Sequence, residues 1–93
     1  MIGWVFTPVF FCIDDKGGET ITAHLSYNNP NTETIFIPIG TKNRLLPGWA
    51  GLPQMFYPGE NPEEFTVEFD GNETVWELTR LETTFSKKSD PCE

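Results

Sequence analysis

The side chains of this chain that could do chemistry are one histidine, His24, two cysteines, Cys12 and Cys92, and fourteen acidic residues. His24 sits in "TITAHLSYNN", in an outward row with Thr20, Thr22 and Ser26. A general base must reach a nucleophile or a substrate proton, and no serine here stands in the strand-to-helix turn that exposes a nucleophile. His24 therefore reads as a cross-strand surface residue. The carboxylates fall in runs, "PEEF", "TVEFD" and "GNE". Glycoside hydrolysis needs two carboxylates flanking one bond, and nothing selects a pair. Acids along one side of a strand are a solvated face that also resists edge-to-edge pairing. "DDKGGE" and "DGNE" carry oxygen ligands, but calcium takes about six to eight of them, and plain turns are the simpler use. No catalytic residue, metal ligand or cofactor is assigned, and the chain is not expected to be an enzyme.

Cys12 and Cys92 lack the spacing of a metal knuckle or a redox CxxC. Two readings remain, a pair of separate thiols or a disulfide that closes nearly the whole chain. A domain of 93 residues buries only about 60–65% of its unfolded surface, so its core is thin. A closed loop near this length contributes roughly 4–5 kcal/mol in the loop-entropy model, which makes the disulfide the better reading. It would place the protein outside the cytosol.

The patterning around these residues is that of β-structure. In "TITAHLSYNNPNTETIFIPIG" the residues Ile21, Ala23, Leu25 and Tyr27 alternate with polar ones, and Ile35, Ile37 and Ile39 resume the apolar row. Such alternation marks half-buried antiparallel strands. Strands are predicted over 4–13, 19–27, 34–39, 54–57, 64–70, 74–80 and 81–86, the last two as one bent strand or a pair. In 64–70, Phe65, Val67 and Phe69 point inward. "DDKGG" and "NNPN" read as turns, the second built on Asx-turns, and "DGNE" as an Asp-Gly hairpin turn. "TKNRLLPGWAGLP" reads as irregular. The fold class is all-β, a single β-sandwich domain over 1–93, Ig-like or jelly-roll-like, with about seven antiparallel strands.

The start, "MIGWVFTPVFFCI", has no basic leader or small-residue cleavage site and reads as a strand. It is apolar on both sides, with Trp4, Phe6 and Phe10 on one and Val5, Val9, Phe11 and Ile13 on the other. A two-layer sandwich covers one face of a strand, so the segment 1–13 is expected to engage another subunit. Trp49, Leu52 and Phe56 are the candidate receiving surface. Asn72-Glu73-Thr74 is a glycosylation sequon on a predicted exposed turn. The formal net charge of −8 disfavours nucleic acid and anionic membranes as partners. No apolar run nears the roughly 20 residues of a membrane helix.

Nearly the whole chain resembles a family of small disulfide-closed β domains of bacterial extracellular and surface proteins, often in tandem, with relatives in pilus-like filaments. The likeness rests on Thr22 to Asn29 ("TAHLSYNN"), Ile37 to Gly40 ("IPIG"), Pro58–Gly59 and Val75–Leu78 ("VWEL"), enclosed by Cys12 and Cys92. It implies a Cys12–Cys92 disulfide, an extracellular or cell-surface location and a scaffold role. Residues 49–53, "WAGLP", depart from a polar run in that family and favour a dry contact over ligand binding.

The expected function is a structural subunit of an extracellular pilus-like filament. Copies would assemble head-to-tail by β-strand addition and apolar contacts through Trp4, Phe6, Phe10, Trp49, Leu52 and Phe56. The alternative is a carbohydrate-binding or adhesive β module, whose exposed aromatic rings stack on a glycan.

Overall fold

The computed structural model describes residues 6–15, 17–18, 20–47 and 51–92. Nine strands run through them: β1 (Thr7–Asp14), β2 (Ile21–Asn29), β3 (Ile35–Phe36), β4 (Asn43–Leu46), β5 (Met55–Phe56), β6 (Gly59–Glu60), β7 (Phe65–Phe69), β8 (Thr74–Leu78) and β9 (Leu81–Phe85). No helix occurs among the described residues. One sheet has β2 at its centre, with β1 on one side and β7 and β6 on the other. The second sheet runs β4-β8-β9, and β3 and β5 form a separate two-stranded ribbon. All strand pairs are antiparallel. The all-β, sandwich-like class predicted from the alternation is the one observed.

Aromatic rings lock the two larger sheets face to face. Phe65 of β7 meets Trp76 of β8 edge-on at 5.2 Å, and Phe69 of β7 meets Phe85 of β9 edge-on at 5.0 Å. Phe10 of β1 stacks on Phe85 at 5.5 Å. Each such pair contributes about 0.5–1.5 kcal/mol beyond the area it buries. The inward rows are those of the alternation: Ile21, Ala23, Leu25 and Tyr27 on β2, and Val67 and Phe69 on β7, are all buried.

β1 departs from strict alternation. It pairs with β2 along its whole length, but the register shifts between Phe10, opposite Leu25, and Cys12, opposite His24. Phe11 is the extra residue of a β-bulge, which changes the parity of everything after it. Before the bulge Phe6 and Pro8 are buried and Phe10 is half-buried; after it Ile13 is buried. Phe11 itself is exposed. The expectation that 1–13 needs a second subunit to cover both flanks is therefore corrected for its described part. The bulge turns the large apolar side chains of both halves toward one core, within one molecule.

Other strands differ from the predicted ones for local reasons. β4 lies in the stretch predicted to be irregular, and β6 is also additional. "DGNE" is not a hairpin turn: β7 pairs with β2 and β8 with β4 and β9, so residues 70–73 carry the chain from one sheet to the other. Asp70 Oδ1 accepts the Asn72 N–H at 2.9 Å, and Gly71 takes a φ of +96°. An Asx turn of this kind serves a corner as well as a hairpin. The long bent strand allowed for over 74–86 is instead a tight hairpin, with Leu78 opposite Leu81. Its two-residue loop puts Thr79 at φ +54°, where Asn or Gly would usually stand.

The tail returns to β1. Cys12 and Cys92 are bonded, with a sequence separation of 80. Ile13 N–H donates to Asp90 O at 2.8 Å and Ile13 O accepts the Cys92 N–H at 2.7 Å. The C-terminal segment thus closes one end of the β1 edge. In urea denaturation the C12S/C92S variant is expected to lose about 2–5 kcal/mol; a loss well under 1 kcal/mol would mean that the tail constrains little. Thr79→Asn is expected to gain about 1 kcal/mol in the same assay by relieving left-handed strain. A destabilised T79N would contradict that account.

Candidate interaction surface

Most of the predicted contact residues are core. Phe6 and Phe56 are both 0% exposed and meet edge-on at 5.7 Å, and Phe56 also meets Tyr27 at 4.7 Å. Phe10 is half-buried against Phe85, and Leu52 is half-buried against the main cluster. The assignment of Phe6 and Phe56 to a surface is corrected on this ground, and Phe10 and Leu52 are largely taken up by their own chain. The cause is the bulge in β1 together with the side of β5 that faces β2. Trp4 and Trp49 lie outside the described residues. Trp76, the remaining tryptophan, is fully buried.

The residues considered for chemistry stay apart. His24 Nδ1 lies 2.7 Å from Glu64 Oε2 on the outer face of the β1-β2-β7 sheet, between Cys12 and Thr66 in register. Among the described residues no group of three or more His, Cys, Asp or Glu is placed to hold a metal ion. Asn72 is exposed at the sheet-to-sheet corner, where its Nδ2 donates to Asp70 Oδ2 at 2.9 Å. The hydroxyl of Thr74, the third sequon residue, is turned inward and donates to Asn72 O at 3.0 Å.

What the fold does offer is an apolar ribbon. In the β3–β5 pair Ile35 lies opposite Phe56, and Phe36 lies opposite Met55. The first pair faces the core. The second faces out, with Phe36 59% and Met55 46% exposed, and Tyr57 beyond it is 44% exposed. Ile39, expected in the inward row, is also exposed. The signal for Phe36 was present in "IFIPIG": if Ile35 and Ile37 point in, the residue between them must point out.

Buried amides hold this ribbon in place. Asn29 Nδ2 donates to Phe56 O at 2.8 Å and to Glu33 O at 3.2 Å, while its Oδ1 accepts the Asn31 N–H at 2.9 Å. Asn43 Nδ2 donates to Ile37 O at 3.0 Å and Pro53 O at 2.8 Å, and its Oδ1 accepts the Trp76 indole N–H at 3.1 Å. Both asparagines are buried, so each satisfies loop carbonyls that water cannot reach. Gly51 takes a φ of +117°, and a Cβ there would approach Val67 Cγ1 at 3.0 Å and Thr66 O at 3.2 Å. The chain leading into β5 therefore lies directly on β7.

Two further surface features accompany the ribbon. Beyond the tie at Ile13, no strand among the described residues pairs with the outer side of β1. Near the N-terminal end of β1 a shallow, open depression is lined by Thr7, Asn28, Pro30, Asn31, Gly59 and Glu60.

Tyr27 anchors the ribbon to β2, its hydroxyl oxygen accepting the Tyr57 N–H at 2.9 Å. Burial raises its pKa above the usual 10.0, the charges of Glu63 and Tyr57 act in the same direction, and the Tyr57 N–H opposes them. A raised phenol pKa means that the folded state holds its proton where the unfolded state has lost it. This contribution is full below pH about 10 and is lost as pH climbs above that value. Urea unfolding above pH 10 is expected to show stability falling with pH, less steeply in Tyr27→Phe; identical slopes would remove Tyr27 as the cause.

Comparison with known proteins finds no matching family model, no similar curated protein and no similar solved structure.

Proposed function

We propose that this chain is a structural subunit of an extracellular, pilus-like filament that grows by strand addition. The observation that carries the reading is the edge of β1 over Thr7–Phe11, at the margin of its sheet: among the described residues no strand pairs with its outer side, and the tail reaches it at Ile13. An unpaired edge is a template for another strand, with main-chain hydrogen bonds giving affinity and alternate side chains giving register. Thr7–Ile13 carries no charged side chain, so of the usual protections of an edge only Pro8 and the bulge at Phe11 stand here, with Asp14 closing the strand. The disulfide is consistent with an extracytoplasmic setting, and the resemblance of "TAHLSYNN", "IPIG" and "VWEL" to extracellular β domains points the same way. The part of β1 in assembly differs from the one expected at first. Because β1 is fully paired with its own β2, it supplies an edge that receives a strand.

A second reading draws on one particular juxtaposition. Tyr57 is exposed two residues from Gly59, which lines the depression beside Asn28 and Asn31. Exposed aromatic rings and amide side chains are the groups that sugar recognition uses, so a carbohydrate-binding or adhesive module is the alternative.

The filament reading is tested by negative-stain microscopy of the purified chain at high micromolar concentration. Fibres are expected from the wild type and only unpolymerised material from T7K/F11K, which places lysines at two exposed positions of β1. Absence of fibres from the wild type, or unchanged fibres from T7K/F11K, overturns it. A glycan array that retains the wild-type chain while no fibres form would favour the alternative.

A further inference from the structure

We infer that the outward face of the β3–β5 ribbon, carried by Phe36, Met55 and Tyr57, is a docking surface for a second copy of this chain. The inference rests on the reading of the chain as a self-assembling subunit and names the surface and the force involved. Its starting point is the distribution of charge. The chain carries fourteen acids against six bases, yet residues 34–41 and 51–59 contain no Asp, Glu, Lys or Arg. The fold brings these two uncharged stretches together as one ribbon, through β3–β5 pairing and the Ile37 N–H to Gln54 O bond at 2.8 Å.

The two most exposed apolar side chains of the β3–β5 pair are neighbours. Phe36 and Met55 are cross-strand partners, a relation that puts Cβ atoms about 5 Å apart. Tyr57, immediately after β5, adds a further exposed ring two residues from Met55. Apolar surface gathered in this way on a small protein marks an interaction site. The platform beneath is preorganised: Asn29, Asn43 and Tyr27 bond the ribbon's main chain from the core side. Little ordering is therefore left to be done on association.

Charge also selects the occupant. Two copies, each at −8, repel one another across most approaches. Contact through an uncharged face leaves every carboxylate hydrated, so this is where two such bodies can meet. A basic partner would instead be drawn to acidic positions such as Glu60, Glu63, Glu64 and Glu68. Self-docking through a neutral face also has a distinct signature. Salt removes the opposing repulsion and leaves the apolar attraction, so association tightens with ionic strength. A contact held by opposite charges would loosen.

Sedimentation velocity of the full chain tests this at about 0.01 M and 0.15 M salt, where the screening length is roughly 30 Å and 8 Å. The wild type is expected to associate, with an association constant higher by on the order of tenfold or more at the higher salt. F36S/M55S changes two exposed side chains and is expected to stay monomeric at both, with an unchanged urea midpoint. The salt response of the wild type needs no variant and decides the matter alone if F36S/M55S folds poorly. A wild type monomeric at both salts, or one that dissociates as salt rises, overturns the inference. So does a folded F36S/M55S that associates like the wild type. Fibres that persist in F36S/M55S would remove the ribbon while leaving the filament reading intact. Salt-promoted association lost in F36S/M55S, without fibres from the wild type, would uphold the ribbon and remove the filament.

Discussion

The β-bulge at Phe11 is the local constraint on which the rest of the molecule depends. A strand of period two can present its large side chains to one layer only, and the first strand of this chain carries them at both parities. One extra residue resolves the conflict. Phe6 and Pro8 reach the core before it and Ile13 after it, all against the inward row of β2. The same shift sets Cys12 opposite His24 and so fixes where the disulfide leaves the sheet. The position of the tail along the β1 edge follows from that. The described part of a strand that looks as if it must borrow a partner thereby places Phe6, Pro8 and Ile13 in its own core, and over Thr7–Phe11 no strand among the described residues pairs with its outer side.

Buried amides do for the connections what the aromatic rings do for the sheets. A 93-residue sandwich has little apolar interior to spare, and its loops return main-chain carbonyls to the inside. Asn29 and Asn43 meet those carbonyls from the ends of strands, and Asn43 also satisfies the indole of the largest core residue, Trp76. A leucine in either place would bury more apolar surface, yet it would leave several acceptors without donors at about 1–3 kcal/mol each. The two asparagines thus explain how stretches rich in proline and glycine become a fixed platform. That platform is what makes the β3–β5 face a surface of defined shape.

Exposure and charge divide the surface in a way that bears on function. Thr66 and Glu68 keep the outer side of β7 polar and exposed, and the Arg44–Glu77 pair lies on the outer side of the other sheet. Among the described residues, the uncharged ribbon and the uncharged Thr7–Ile13 stretch of β1 stand apart from these. They adjoin one another, since Phe6, which immediately precedes β1, packs on Phe56 of the ribbon. Strand addition and apolar docking would thus draw on neighbouring parts of one region.

Period-two patterning and turn chemistry, written in the residues themselves, determined the all-β class, the inward rows of β2 and β7, and the Asx turn after Asn29. They did so because side-chain direction along a strand and local side-chain-to-backbone bonds are short-range properties. The pairing of Cys12 with Cys92 was legible for another reason: two cysteines in a thin-cored domain admit a single bridge. Tertiary structure alone decided which sheet each strand joins. Asp70-Gly71 is equally good chemistry for a hairpin and for a corner, and only the partner strands distinguish them. It also decided that Phe6 and Phe56 are core while Phe36 and Met55 are surface. Alternation says that neighbouring residues face opposite ways, but which way is inward depends on where the other sheet lies, and that is a long-range packing outcome no local pattern contains.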